Sequence, residues 1–176
     1  MRFLSSAECV TWCSQHAYPT VQRASGEVAR AALRPDGFHL VAFRHPLDSG
    51  RKVWLSRYLY SLLDPAPELL VWVTEWSVWP SSEHLPLFER FRQSIGERQP
   101  LIETPGHLVE PLEHNDGISV LALAFLFVWD CYVIAASGRD ALFTSHDEVG
   151  WFGSRDEQVA RRVRELFREA SVESAA

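Results

Sequence analysis

Two apolar stretches decide how this chain folds: Leu69–Val73 (LLVWV) and the run Ile118–Ala136 (ISVLALAFLFVWDCYVIAA). The first is apolar at every position, which is typical of a strand that is buried on both faces. The second is long enough for a helix over about 117–129 followed by a strand over 131–136. We therefore expect a central strand near 69–77, with the helix buried against it.

A membrane span is the alternative interpretation of the run Ile118–Ala136. Its length approaches the ~20 residues that crossing a bilayer requires. An ionised Asp130 within such a span costs roughly 2.5–3.5 kcal/mol on insertion. A buried helix followed by a buried strand avoids this cost. We expect no membrane association.

Capping and turn signals predict the elements at the start of the chain. The sequence Ser5–Glu8 (SSAE) combines a capping hydroxyl with a carboxylate three positions later, and it predicts a helix over 6–17. The sequence Pro35–Gly37 (PDG) is typical of a tight turn. It predicts a hairpin whose strands lie at 26–34 and 38–44.

Two further helices flank the first apolar stretch. Asp48 can cap a helix that extends to Leu63. The apolar residues of this helix, which include Trp54, form a wide face, so we expect the helix to be well buried. Beyond the strand, Ser81 or Ser82 can cap a helix over 85–95, which Gly96 ends.

The second half of the chain predicts an irregular connection, a hairpin and a last helix. Residues 97–115 contain three prolines and no clear period. A turn at Ser137–Asp140 returns the strand over 131–136 as a partner strand at Ala141–Thr144. The sequence Ser154–Glu157 (SRDE) is a second capping box.

The composition is that of one folded domain. The chain has 176 residues, of which 47% are hydrophobic and 23% charged. Hairpins and helices alternate without βαβ regularity. We therefore expect a single α+β domain over 1–176, with a mainly antiparallel sheet of about five strands packed with about five helices.

The charge and the cysteines narrow the class of protein. The formal net charge is −6, whereas nucleic-acid binding calls for a basic patch, so we expect no nucleic-acid partner. The three cysteines, Cys9, Cys13 and Cys131, have no disulfide spacing, which favours the reducing cytoplasm. No glycine-rich phosphate loop, dinucleotide fingerprint or His-Glu-x-x-His helix occurs, so we expect no cofactor and favour a role other than catalysis.

Two sets of residues have the chemistry of metal ligands. Cys9, Cys13 and His16 are spaced for one helix face, although buried apolar cysteines are the interpretation that we favour there. The second set is His107 and His146, with a carboxylate of Glu75 or Asp147 as third ligand. It would suit a metal-dependent hydrolase that uses a metal-bound water. The alternative is that Ser145 and Asp147 only cap a helical turn.

Acidic side chains interleaved with tryptophan have the chemistry of a protein interface. Carboxylates attract a basic partner and pair with its Arg and Lys side chains, while tryptophan is enriched among the residues that dominate binding. The predicted interface comprises Glu75, Trp76, Trp79 and Glu83 near the end of the central strand, and Glu110, Glu113 and Asp116 in the irregular connection.

Four motifs resemble a family of small uncharacterised bacterial proteins. They are Val71–Trp76 (VWVTEW), Val78–Glu83 (VWPSSE), Glu103–His107 (ETPGH) and Ser145–Glu148 (SHDE), within roughly residues 68–152. The resemblance implies a bacterial origin and no particular catalytic activity. Small acidic proteins of this type are associated with immunity to secreted toxins.

The leading functional hypothesis is a protein-binding module, most concretely an immunity or antitoxin-like protein that masks a basic toxin domain. The net charge, the seven tryptophans and the lack of a complete catalytic motif motivate it. The alternative hypothesis is the hydrolase that uses His107 and His146.

Overall fold

The computed structural model of the chain describes residues 1–18, 20–21, 30–31, 37–63, 67–77, 80–170 and 172. Its strands are β1 (Arg2–Leu4), β2 (Thr20–Val21), β3 (Arg30–Ala31), β4 (His39–Arg44), β5 (Leu69–Glu75), β6 (Gly106–Val109), β7 (Asp130–Ala135), β8 (Asp140–Thr144) and β9 (Val149–Ser154). Its α-helices are α1 (Ser6–Gln15), α2 (Ser49–Leu62), α3 (Leu85–Ser94), α4 (His114–Phe127) and α5 (Glu157–Glu169), and short 3₁₀ helices lie at Ser81–His84 and Pro111–Glu113.

An antiparallel sheet forms the middle of the fold. Seven strands pair in the order β1-β6-β5-β7-β8-β9-β4, and β2 pairs separately with β3. The α+β class and the mainly antiparallel sheet are therefore confirmed, and the main sheet has seven strands where about five were expected. The strand predicted near 69–77 is the interior strand β5, between β6 and β7.

The alternation of side chains along β5 and β7 divides the core in two. Val71 and Val133 face a large cluster that is built with α2, α3, α4 and α5. Trp72 and Tyr132 face a smaller cluster that includes Cys9 and other side chains of α1. Since both faces of these strands are covered, almost every position of β5 and β7 is buried, as their apolar sequences predict.

Helix α4 lies against the sheet and is the predicted buried helix. Val120, Leu121, Ala124 and Phe125 are all fully buried. The helix contacts β5, β6 and β7 on one side and α2 on the other, which explains why apolar residues occupy most of its circumference.

Some of the predicted helix caps are confirmed, and others are wrong. Ser5 and Glu8 form the expected capping box of α1, and Asp48 accepts the backbone N–H of Arg51 at the start of α2. The helix α3 begins after the 3₁₀ turn at Ser81–His84, and no side chain caps it. The cap of α5 is Asp156 and not a box built on Ser154, because Ser154 is the last residue of β9.

The strands β1 and β6 lie where no strand was predicted, as do β2 and β9. The segment 97–115 contains β6, whose His107 pairs with Val71 on one side and with Phe3 of β1 on the other. Strands of three and four residues carry almost no periodic signal, and here cross-strand pairing stabilises them.

The segment Ser145–Glu148 is a hairpin turn between β8 and β9, and the expected helical cap is wrong. The Asp147 N–H donates to Ser145 Oγ (3.2 Å) and the Ser145 N–H donates to the Val149 carbonyl (2.9 Å). A serine that bonds two residues ahead has the same sequence signature in a turn as at a helix start, which explains the error.

The first predicted hairpin differs from the structure in its pairing. Strand β4 is confirmed, but it pairs with β9, while Arg30–Ala31 pairs with Thr20–Val21. Residues 35 and 36 of the expected turn lie outside the described residues. The burial predicted for α2 is also incomplete, because Trp54 is 42% exposed.

Candidate functional site

The residue Leu112 stands out at the start of α4 because 99% of it is exposed. It follows Pro111 in the 3₁₀ turn that leads into the helix, and Glu110 and Glu113 flank the pair. The Glu110 N–H donates to the Glu113 carboxylate (3.0 Å), which fixes the turn. We call Glu110–Glu113 together with Asp116 the Leu112 surface.

The position of Leu112 before α4 explains why it points away from the core. It lies in the 3₁₀ turn Pro111–Glu113, before the first buried residue of α4, Gly117. The buried positions Gly117 and Leu121 lie on one side of α4. Leu112 is thus an exposed apolar side chain in a 3₁₀ turn that leads into a helix anchored in the core.

The charge of the Leu112 surface is negative. Glu113 forms an ion pair with the amino group of Met1. Among the residues that the structure describes, Glu110 and Asp116 have no ion-pair partner. Both carboxylates remain available to a basic partner.

The second group of predicted interface residues lies at the far end of the sheet. Glu75 accepts from the N–H and the hydroxyl of Ser77. Trp76 is half-buried against the large core, and Glu83 is exposed in the 3₁₀ turn before α3. Trp79 lies outside the described residues.

The structure separates the two predicted groups by the length of a strand. Leu69 pairs with Val109, next to Glu110, and Glu75 lies six residues further along β5, or about 20 Å at ~3.4 Å per residue. The six predicted interface residues that the structure describes therefore do not form one compact patch. The group around Glu110 differs from the group around Glu75 because it also contains the exposed apolar side chain of Leu112, which the sequence did not predict as an interface residue.

A histidine–carboxylate pair lies near Glu75. Asp130, opposite Glu75 in the β5–β7 register, has a carboxylate that accepts from the His146 N–H (2.8 Å) and from His146 Nδ1 (2.7 Å). The Asp130 side chain is 2% exposed, whereas that of His146 is 30% exposed. His146 Nε2 lies 3.7 Å from the Asp147 carboxylate. Sequence reasoning missed the partner, Asp130, because it lies sixteen residues earlier.

The structure does not bring His107 to His146. His107 pairs through Val71 and Val133 with Leu142, three strand spacings or about 14 Å away, and His146 lies four residues beyond Leu142. The two residues are thus separated by at least the three strand spacings, about 14 Å across the sheet. Within the described ranges, no three His, Cys, Asp or Glu side chains form a group able to hold a metal ion.

His107 is instead a buried core residue. Its ring lies 5.6 Å from that of Phe3 and 5.9 Å from that of Phe88, and Nδ1 lies 3.2 Å from the Val71 carbonyl oxygen. Burial, with a smaller contribution from Arg92, lowers its pKa to about 3.

The cysteines are also core residues. Cys9, Cys13 and Cys131 are fully buried free thiols. Burial raises the pKa of all three, that of Cys13 to about 12. The ring of His16 stacks on Trp12 at 4.0 Å. This packing agrees with the buried apolar cysteines that we favoured.

Comparison with protein-family models, with curated proteins and with solved structures finds no match to this chain. Of the helices in the described part of the chain, none combines the length and the apolar character needed to cross a membrane.

Proposed function

We propose that this chain is a protein-binding module, most concretely an immunity or antitoxin-like protein that masks a basic toxin domain. The observation that carries the proposal is Leu112, which is 99% exposed between carboxylates in the 3₁₀ turn that leads into α4. A single exposed leucine is common on protein surfaces, and it is the carboxylates on both sides of Leu112 that point to a basic partner.

The chemistry of the Leu112 surface suits a basic partner. Burying a leucine side chain contributes roughly 1.5–3 kcal/mol. The carboxylates of Glu110 and Asp116 attract Arg and Lys side chains, and the net charge of −6 adds to this attraction at long range. The complementary surface is an apolar pocket rimmed with basic residues.

The position of the surface favours tight binding. Pro111 restricts the backbone before Leu112, and α4 is anchored in the core through Leu121 and Ala124. Because the surface is already ordered, little conformational entropy is lost when the partner binds. This arrangement supports a masking role, for which slow dissociation is needed.

Photo-crosslinking in the protein's own cells tests the proposal. A photoreactive phenylalanine analogue replaces Leu112, and in a matched control it replaces Leu87, which is 57% exposed on α3. We expect a discrete covalent adduct with a basic protein from position 112 and none from position 87.

The captured partner must also be a toxin that this chain neutralises. Cells that express the partner are expected to survive with the wild-type chain or Leu87→Asp, but not with Leu112→Asp. If no adduct forms at position 112, or if Leu112→Asp protects the cells as well as the wild type does, the proposal is wrong.

A further inference from the structure

A cleft opens at the end of the molecule where α2 begins, between the β4–α2 loop and the end of α5. Its volume is about 470 Å³, and an apolar recess of about 240 Å³ adjoins it. The residues that matter here are Arg44, Pro46, Leu47, Arg51, Trp54 and Val172. We call this feature the α2 cleft.

The α2 cleft carries more positive than negative charge. Lys52, 3.0 Å away, balances the charge of Glu148, while Asp48 keeps its negative charge and accepts the Arg51 N–H at 2.8 Å. Arg44 and Arg51 are exposed, and no carboxylate of the described ranges forms an ion pair with either. The cleft therefore presents two guanidinium groups to a ligand.

The walls of the cleft are apolar and aromatic. Leu47 is 90% exposed and Trp54 42% exposed, and the Trp54 ring stacks at 5.7 Å on Tyr58. Tryptophan, tyrosine and arginine are the side chains most enriched at the energetic centres of protein interfaces. An occupant should thus combine a large apolar side chain with carboxylates.

The same chain carries such a group in the Leu112 surface. Leu112 is the apolar side chain, and Glu110 and Asp116 supply carboxylates that can pair with Arg44 and Arg51.

The Leu112 surface cannot reach the α2 cleft of its own molecule. The helices α2 and α4 pack antiparallel: Tyr60 contacts His114 at one end, while His45, just before α2, contacts Phe125 at the other. The 14 residues of α2 therefore separate the two features, at ~1.5 Å per residue by about 20 Å.

We propose that the Leu112 surface of one copy binds the α2 cleft of a second copy. Two different surfaces meet, so the contact either repeats head-to-tail or forms twice in a two-fold dimer, where the surface of each copy contacts the cleft of the other. The inference rests on the proposed function, which assigns Leu112 to a binding surface. It adds that self-association covers this side chain until a partner displaces the second copy.

Sedimentation equilibrium of the purified full chain tests the inference by complementation. The variant Arg51→Glu keeps the Leu112 surface but loses the cleft, and Leu112→Asp keeps the cleft but loses the surface. We expect the wild type to associate increasingly up to about 1 mM, as small interfaces do. Each variant alone is expected to remain at the 20.1 kDa monomer, and an equimolar mixture to form a 1:1 heterodimer.

Matched controls use exposed residues outside both features: Arg57→Glu on α2 and Leu87→Asp on α3 should associate like the wild type. A wild-type chain that is monomeric throughout, a mixture without heterodimer, or equal loss of association in the controls overturns the inference. Such a result leaves the proposed function standing, because masking a toxin needs no self-association.

Discussion

At the residue scale, the clearest unpredicted contact is the hydrogen-bonded pair Asp130 and His146. A hydrogen bond to a buried carboxylate contributes roughly 1.5–3 kcal/mol. We expect His146→Gln to lower the free energy of unfolding by about this amount, measured by urea denaturation. This is more than the ~0.5 kcal/mol expected of an ordinary surface substitution, for which the exposed His39→Gln is the control.

A double-mutant cycle with Asp130→Asn separates the pair from other effects. If the bond contributes as argued, the two substitutions are non-additive by at least about 1 kcal/mol. Additive losses would mean that the contact between Asp130 and His146 contributes nothing to stability.

Two buried histidines predict how stability depends on pH. Desolvation lowers the pKa of His45 and of His107 to about 3, with Lys52 and Arg92 adding to the effect. In the unfolded chain both imidazoles titrate near ~6.5. Unfolding near pH 5 therefore takes up about two protons, and the free energy of unfolding falls by roughly 2.7 kcal/mol per pH unit as the pH is lowered.

Urea denaturation at a series of pH values between about 7 and 5 measures this slope. The variant His45→Gln should take up one proton fewer and so show about half the slope, whatever its stability at pH 7. An unchanged slope in this variant would contradict the assignment of His45 as a neutral buried residue.

At the scale of elements, the contact between α2 and α4 depends on a glycine. A Cβ on Gly117 would collide with the ring and hydroxyl of Tyr60, so only glycine lets the two helices approach this closely. We expect Gly117→Ala to destabilise by about 1–3 kcal/mol through overpacking, although alanine favours a helix by ~1 kcal/mol. Thermal unfolding of the variant measures the change.

The variant Tyr60→Phe supplies the matched test. The Tyr60 hydroxyl has no hydrogen-bond partner among the described residues, so its loss should cost little by itself. Combined with Gly117→Ala, it should recover part of the lost stability. If the double variant is no more stable than Gly117→Ala, the collision with Tyr60 is not the cause.

Elements with a strong periodic or apolar signal were predictable from the sequence, and elements that depend on tertiary contacts were not. The strand β5 and the helix α4 follow from their apolar runs. The strand β9 was missed because it contains Gly150 and Gly153, which weaken the strand signal. At Gly150 the structure supplies the reason, because a Cβ would overlap the ring of Phe43 on the neighbouring strand β4.

At the scale of the whole molecule, the sequence predicted acidic surface residues but not their arrangement. Glu75 and Glu110 belong to the same predicted interface, and the fold places them at opposite ends of β5. Leu112 was not predictable as an exposed residue, because a single leucine between carboxylates has no periodic signal. Only the packing of α4 shows which of its sides faces water.

The measurement that tests the central claim most directly is a calorimetric titration of the purified chain with the partner captured at position 112. The wild type should bind more weakly as salt is raised, because carboxylates contribute to the contact. Leu112→Asp should weaken binding by roughly 30-fold, equivalent to ~2 kcal/mol of lost apolar burial, while Leu87→Asp binds like the wild type. Equal affinity of Leu112→Asp and the wild type at every salt concentration would contradict the claim that this surface is the binding site.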